Sequence, residues 1–178
     1  MRYAGVLFDL FGTLVPPFRM AEHRAVLAEC ASILGIPFDE CYRFWGEAYL
    51  PRIRGDFATV SDNFRWVAEQ AGQHVTHDGL TRVEAVYGRF TAESLTPVTG
   101  AIETLEWLSK RRLRIGLVSN CGADTPKAWG MSVFSRYFDQ CAFSCELGAV
   151  KPEPAIYRSV LDALSLPPGA DTLCRRRE

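Results

Sequence analysis

Three short apolar segments, separated from one another by helical patterns, constrain the fold of this chain most strongly. They cover residues 3–8, 113–118 and 140–144, and residues 172–174 have the pattern of a further strand that is just beginning. Short apolar runs bounded by glycine and proline are typical of buried strands. Strands that alternate with helices form a parallel sheet covered by those helices. The sequence therefore predicts an α/β fold with a Rossmann-like parallel sheet.

A long helical segment interrupts this alternation after the first strand. Apolar residues recur with a helical period between Val26 and Leu34, and Gly35 with Pro37 ends that helix. Further helical patterns follow until about residue 94, where the alternation of helix and strand returns. We therefore predict an α/β core domain of residues 1–15 and 95–178, with an inserted α-helical cap domain of residues 16–94.

Charge and patterning exclude several kinds of partner. The chain carries 20 Lys and Arg against 21 Asp and Glu, a net charge of −1, which is too small for capture of nucleic acid or of an anionic membrane. No apolar run reaches the ~18–20 residues of a membrane span, and the first residues lack the apolar region of a signal peptide. The sequence predicts a cytoplasmic protein that binds neither nucleic acid nor membrane.

Polar residues follow three of the predicted strands. Asp9 comes directly after the first, Ser119 and Asn120 after the second, and Lys151 a few residues after the third. Ligands of parallel sheets bind beyond the carboxyl ends of the strands, so we expect these groups to meet there. A carboxylate can attack an electrophile covalently, while a lysine, a hydroxyl, an amide and the Gly12 N–H can hold negative oxygens. The partner predicted from this set is a small anionic substrate.

In this order, the motifs make the chain similar to the haloacid dehalogenase (HAD) superfamily, in the group with a helical cap after the first motif. The first motif is an apolar strand ending in Asp9-Leu10-Phe11-Gly12-Thr13, the second is Ser119, and the third is Lys151 before a helix. The resemblance implies Asp9 as nucleophile, Thr13 as its support, Ser119 as an oxyanion ligand and Lys151 as the electrostatic partner. In magnesium-dependent members the residue matching Asp9 also binds the metal.

Phe11 departs from the phosphatases of this superfamily. They carry a second aspartate at that position, which protonates the leaving oxygen and then activates water, and a phenylalanine cannot transfer a proton. Phe11, Ser119-Asn120 and Tyr157 instead resemble the 2-haloacid dehalogenases, which need no metal, although a phosphonate-cleaving branch also lacks the second aspartate and uses magnesium. The substrate remains open between a phosphate ester and a 2-haloacid. Mg²⁺ is the expected cofactor in the first case, and no cofactor is expected in the second.

The predicted cap supplies the other candidates for substrate binding. In the dehalogenase interpretation an arginine of the cap holds the substrate carboxylate, and Arg52 and Arg54 are the candidates; either is equally compatible with a solvated surface position. A predicted helix here is rich in aromatic residues: Tyr42, Phe44, Trp45 and Tyr49. These either form an apolar substrate pocket facing Asp9 or pack the cap against the core. The predicted substrate-binding residues are therefore Phe11, Gly12, Asn120, Arg52 and Tyr157.

The end of the sequence departs from the family pattern as well. A fourth motif is expected after the fourth strand, where the family has acidic metal ligands or water-positioning polar residues, but Arg175-Arg176-Arg177-Glu178 stands there. The expectation is a chain truncated before that motif, for instance by a frameshift, with C-terminal strands missing and hydrolase activity impaired. An unpaired edge on the first strand would then favour self-association. The alternative function is a non-catalytic remnant that acts as a binding module.

Overall fold

The computed structural model describes residues 3–166 and, for the backbone alone, residues 171–174. In these residues the strands are β1 (Gly5–Phe8), β2 (Arg114–Ser119), β3 (Gln140–Phe143) and β4 (Asp171–Cys174). The helices are α1 (Met20–Leu34), α2 (Phe38–Glu47), α3 (Tyr49–Arg54), α4 (Val60–Gln70), α5 (His77–Ser94), α6 (Ala101–Lys110), α7 (Asp124–Gly130), α8 (Ser144–Leu147) and α9 (Pro154–Ala163), with a short 3₁₀ turn at Ser135–Tyr137.

The sheet is parallel throughout, in the order β3-β2-β1-β4. Its register pairs Phe8 with Leu117 and Ser119 with Phe143. All strands therefore end at the same edge, and the loops after β1, β2 and β3 meet there. This confirms the predicted α/β parallel sheet.

β4 pairs with β1 over the whole length of that strand, from Gly5 with Asp171 to Phe8 with Cys174. The expectation that β1 has an unpaired edge is therefore wrong, because residues 171–174 are long enough to complete its hydrogen-bond ladder. Residues 175–178, where the fourth motif is expected, lie outside the described residues. Self-association through a sheet edge stays a prediction.

Apolar side chains cover both faces of the sheet. One cluster covers the face of the sheet on the side of α6 and α7, and its largest fully buried members are Leu10, Leu105, Ile115, Leu117 and Phe134. The other packs α9 against the opposite face through Leu7, Val118, Ala142, Ile156 and Val160. A sheet covered on both faces explains why its strands read as continuous apolar runs.

The inserted helices have an apolar cluster of their own. It joins α1, α2, α4 and α5 and has Leu27, Trp45, Phe64, Val67 and Val83 at its centre. This cluster shares no buried residue with the two clusters on the sheet. The domain limits at residues 15 and 95 stay a prediction. Among the described residues, no helix is both long and apolar enough to cross a membrane.

Candidate active site

Asp9 and Lys151 form an ion pair at the carboxyl edge of the sheet. Lys151 Nζ lies 2.5 Å from Asp9 Oδ1, and the Leu10 N–H donates to the same oxygen at 2.7 Å. The two side chains are 24% and 22% exposed, so solvent screens the pair only in part. No hydrogen bond reaches Asp9 Oδ2 from the described residues. Two donors thus hold one oxygen of Asp9, and its role as a nucleophile stays a prediction.

The loop after β1 turns tightly on the Leu10 carbonyl, which accepts N–H bonds from Thr13, Leu14 and Val15. Gly12 adopts a φ of 79°, which a side chain would strain. Its N–H donates to the Val15 carbonyl at 2.9 Å. In this structure the Gly12 amide closes the loop that follows Asp9, and its binding of a substrate oxygen stays a prediction. Thr13 is half-buried on this loop, and its support of Asp9 stays a prediction.

Ser119 ends β2 as a fully buried residue, and its hydroxyl lacks a hydrogen-bond partner within residues 3–166. A buried hydroxyl without a partner costs free energy. A water or a substrate oxygen that reached Ser119 Oγ would satisfy it. The role as an oxyanion ligand stays a prediction.

Asn120 binds the backbone of Lys151 at both ends of its amide. The Lys151 N–H donates to Asn120 Oδ1 at 2.7 Å, and Asn120 Nδ2 donates to the Lys151 carbonyl at 3.3 Å. The sequence predicted Asn120 as a substrate ligand. In the structure its polar atoms hold the segment that carries the lysine, and its contact with a substrate stays a prediction.

A cavity of about 680 Å³ lies between the inserted helices and the loop after β2. The cavity meets the strand-end loops at Phe11 and Asn120, whereas Asp9, Ser119 and Lys151 do not line it. Its lining residues are Phe11, Phe18, Met20, His23, Tyr42, Trp45, Gly46, Tyr49, Arg52, Ile53, Tyr87, Asn120, Cys121, Gly122, Asp124 and Thr125. Most of this wall is aromatic or aliphatic.

Of the aromatic residues predicted in the cap, some line the cavity and others pack in the interior of the inserted helices. Tyr42, Trp45 and Tyr49 line the cavity, and Trp45 also belongs to the apolar cluster of the inserted helices. Phe44 is buried in that cluster alone. Tyr157 packs on the α9 side of the sheet and does not line the cavity, so its role in substrate binding stays a prediction.

Arg52 and Arg54 have different surroundings. Arg52 lines the cavity, with its guanidinium carbon 4.2 Å from the centre of the Trp45 ring. Its Nη1 donates to the Trp45 carbonyl at 3.0 Å and to Asn63 Oδ1 at 3.1 Å. Arg54 instead pairs with Glu153 and donates to the Gly148 carbonyl at 2.9 Å. Of the two candidates, only Arg52 is placed where it can contact a ligand in the cavity.

His23 and Asp124 are titratable residues of the cavity that the sequence analysis did not find. Burial lowers the pKa of His23 to about 4, with the Arg52 charge as a second cause, so its imidazole is neutral near pH 7. Burial also raises the pKa of Asp124, although Thr91 Oγ1 donates to its Oδ2 at 2.7 Å. Neither residue stands in a recognisable motif, because their partners come from distant parts of the sequence.

Magnesium needs several oxygen ligands in near-octahedral geometry. Among the described side chains, no three of His, Cys, Asp or Glu converge to hold a metal ion. Asp9 offers one carboxylate, and Lys151 already occupies one of its oxygens. The donor set of the described residues does not fit a magnesium ion, and metal binding by Asp9 stays a prediction of the phosphatase alternative.

Several solved structures share this architecture. A HAD-family enzyme from Bacteroides thetaiotaomicron superposes with a TM-score of 0.71 at 20% identity, over 99% of this chain and 85% of that one. A HAD phosphatase from Thermococcus onnurineus gives 0.64 at 23% identity, over 95% and 75%. An L-2-haloacid dehalogenase gives 0.60 at 18% identity, over 96% and 77%. At such low identities the likeness shows the fold alone.

The match of a family model is more specific than these superpositions. The model for haloacid dehalogenase-like hydrolases matches residues 3–173, which include β1, β2, β3 and the Asp9–Lys151 pair. With the parallel sheet and the inserted helices, this match establishes the family. The chain belongs to the haloacid dehalogenase-like hydrolases.

Proposed function

We propose that this chain is a hydrolase in which Asp9 forms a covalent ester with a small anionic substrate, and that the substrate is a 2-halocarboxylate. The observation that carries the proposal is the asymmetry of Asp9. Its Oδ1 is held by Lys151 Nζ and the Leu10 N–H, while Oδ2 has no hydrogen bond from the described residues. Such a carboxylate is oriented for attack through one oxygen.

In the first step, Asp9 Oδ2 attacks the carbon that bears the halogen. The carbon–halogen bond breaks, the halide leaves with the bonding electrons, and an ester forms. In the second step water adds to Asp9 Cγ, and negative charge develops on Oδ1. That oxygen already faces an ammonium and a backbone N–H, which stabilise an oxyanion. Collapse releases a 2-hydroxy acid and one proton and restores the carboxylate.

The substrate carboxylate has a candidate partner in Arg52. Both of its hydrogen bonds within the described residues use Nη1, so Nε and Nη2 keep their donors for a ligand. These donors match the two oxygens of a carboxylate in a bidentate pair. Stacking on Trp45 and the Nη1 bonds orient the guanidinium before a ligand binds.

Phe11 favours a halide over a phosphate ester as the substrate. An alkoxide leaving group needs a proton donor, whose contribution is typically about 10²–10⁴-fold, and Phe11 stands where phosphatases of this resemblance carry that acid. A halide leaves as a stable anion without protonation. The magnesium complex of the Bacteroides thetaiotaomicron neighbour fits the phosphatase alternative instead.

The test compares the two bond classes and the nucleophile in one experiment. Purified chain is assayed for halide release from a panel of 2-halocarboxylates with EDTA, and for hydrolysis of p-nitrophenyl phosphate with Mg²⁺. We expect halide release that survives EDTA and falls by about 10³-fold or more in Asp9→Asn. The matched control is Asp39→Asn, an exposed aspartate of α2, which should leave the rate unchanged.

A single turnover in H₂¹⁸O then identifies the bond that water attacks. We expect ¹⁸O in the Asp9 peptide, because water adds to Cγ of the ester. Label in the hydroxy acid alone would overturn the covalent step. Hydrolysis of only the aryl phosphate, and only with Mg²⁺, would assign the chain to the phosphatases. If neither substrate is turned over, the result would support the alternative function, a non-catalytic binding module.

A further inference from the structure

We infer that the substrate of this site carries a ring-sized apolar body with a hydrogen-bonding group, so that it is an aryl- or heteroaryl-substituted 2-halocarboxylate rather than a two- or three-carbon haloacid. For the 2-halocarboxylate group of the substrate, the inference rests on the proposed function. The rest of the molecule is deduced from the cavity between the inserted helices and the loop after β2.

The size of the cavity is the first observation. Its volume of about 680 Å³ lies within the range of about 300–1,000 Å³ in which sites enclose drug-sized ligands. A haloacid of two or three carbons would leave most of this space to water. An apolar ligand that displaces this water from an apolar wall gains affinity in proportion to the surface it buries.

The wall is the second observation. Phe18, Tyr42, Trp45, Tyr49 and Tyr87 all line it. Aromatic side chains pack against ligand rings by offset stacking or edge-to-face contact. A flat ring matches such a wall better than an alkyl chain of equal area.

The third observation is an unmatched hydrogen-bond donor within this wall. His23 is 6% exposed, its Nε2 lies 3.3 Å from the Tyr87 hydroxyl, and its Nδ1 lacks a partner in the part of the chain that the structure describes. If Tyr87 donates to Nε2, the N–H at Nδ1 is left over. If Nε2 donates to Tyr87, the tyrosine O–H is left over. In either tautomer, one donor of the pair is left without a partner among the described residues, and both residues line the cavity.

The charged residues of the cavity determine the orientation of the ligand. Arg52 is the cation of the cavity and Asp124 its carboxyl group. An anionic group is attracted to the Arg52 guanidinium and not to the carboxyl group of Asp124, whose Oδ2 accepts a hydrogen bond from Thr91 Oγ1. The carboxylate of the substrate therefore binds Arg52, and its apolar body extends along the aromatic wall toward His23.

Equilibrium binding tests the size preference without any turnover. Unreactive 3-phenylpropanoate and propanoate are titrated calorimetrically into the wild type and into Asp9→Asn. We expect the phenyl compound to bind about 10-fold to 100-fold more tightly, as burial of one ring predicts. Equal affinities would overturn the inference.

Two cavity variants locate the binding. Trp45→Ala should remove most of the preference, and Tyr49→Ala should reduce it at a half-exposed position where folding is not at stake. The matched control is Trp107→Ala, on the exposed face of α6 and outside the cavity, which should leave both affinities unchanged. A preference that survives both cavity variants would place the ligand elsewhere and overturn the inference.

The polar group is tested with the ortho, meta and para isomers of 3-(hydroxyphenyl)propanoate. We expect at least one isomer to bind more tightly than 3-phenylpropanoate, and we expect His23→Phe to abolish that gain while it keeps the preference for a ring. A gain that persists in His23→Phe would overturn the role of His23. If ring preference is found but no 2-halocarboxylate is hydrolysed, the proposed function fails and the binding inference stands.

Discussion

His23 combines a titratable ring with almost complete burial. The ring lies among Phe18, Trp45, Tyr87 and Phe90, with ring centroids 4.8–6.1 Å away. Such surroundings exclude the charged imidazolium, because its hydration is lost and Arg52 repels it. The unfolded chain has no such restriction and binds the proton at the ordinary pKa of 6.5.

This difference predicts a loss of stability in mild acid. Between pH 6.5 and about 4, His23 is protonated in the unfolded state but stays neutral in the folded state. The free energy of unfolding therefore falls by up to about 3 kcal/mol as the pH is lowered through this range. In His23→Phe this part of the decline should be absent. Urea denaturation at several pH values measures it, with the exposed His74→Gln as control. Parallel pH profiles for the wild type and His23→Phe would contradict the prediction.

Sequence reasoning found some residues of the site and not others. Asp9 and Lys151 follow strands of one parallel sheet, so topology alone places them at one edge, and the structure brings them together. His23 and Asp124 contact Tyr87 and Thr91, which are 64 and 33 positions away. Those contacts depend on how the inserted helices pack, and no strand register determines that packing.

At the scale of elements, β2 and α9 meet closely at Gly116. A Cβ on this residue would lie 2.5 Å from Leu7 Cδ2 and 2.6 Å from Val160 Cγ1. Both atoms belong to buried side chains of the apolar cluster under α9. The absence of a side chain at Gly116 therefore permits the close approach of α9 to the sheet.

We therefore expect Gly116→Ala to destabilise the fold by about 1–3 kcal/mol through overpacking. The matched control is Gly88→Ala, within α5, where an added Cβ meets nothing within 4 Å. That substitution should stabilise the helix by roughly 0.5–1 kcal/mol, because alanine loses less entropy than glycine on folding. Chemical denaturation of both variants measures the contrast. A stability of Gly116→Ala at or above the wild type would show that the helix and sheet can separate without cost.

Element boundaries in the inserted helices were predicted less well than the strands. In the sequence, Asp39 and Pro51 have the character of the start and stop signals of a single helix. Instead α2 ends at Glu47, and Pro51 lies in the first turn of α3, where its missing N–H breaks no helical bond. α4 is capped by Thr59 through a reciprocal bond with Asp62.

At the scale of the whole molecule, α3 docks the inserted helices onto the core. Gly55 ends α3 with a φ of 85°, and a Cβ there would overlap the Cys145 carbonyl of α8. Arg54 adds an ion pair to Glu153 and a bond to the Gly148 carbonyl. The stem of Arg52 passes over Gly122 in the loop after β2. The position of the cavity arginine is therefore tied to this docking.

Gly55→Ala should both destabilise the fold and weaken substrate binding. The control Gly35→Ala has the same left-handed backbone at the end of α1, with a φ of 69°, but no atom within 4 Å of the added Cβ. Both variants carry the backbone strain of about 1–2 kcal/mol, and only Gly55→Ala adds the clash with the core. Denaturation together with the KM for the substrate separates the two effects. Equal losses in the two variants would mean that the contact with α8 does not hold the docked arrangement.

The ladder between β1 and β4 joins residues 5–8 to residues 171–174. Contacts between such distant positions form late, because the entropy of closing so long a loop must be overcome before the pairing is gained. During synthesis β1 emerges from the ribosome before the other described strands. One edge of this apolar strand then stays unpaired until more than 160 further residues have been made. Among the described strands, the one that carries Asp9 is thus the most exposed to misassembly during synthesis, and a chaperone that shields the nascent segment around β1 would raise the yield of folded protein.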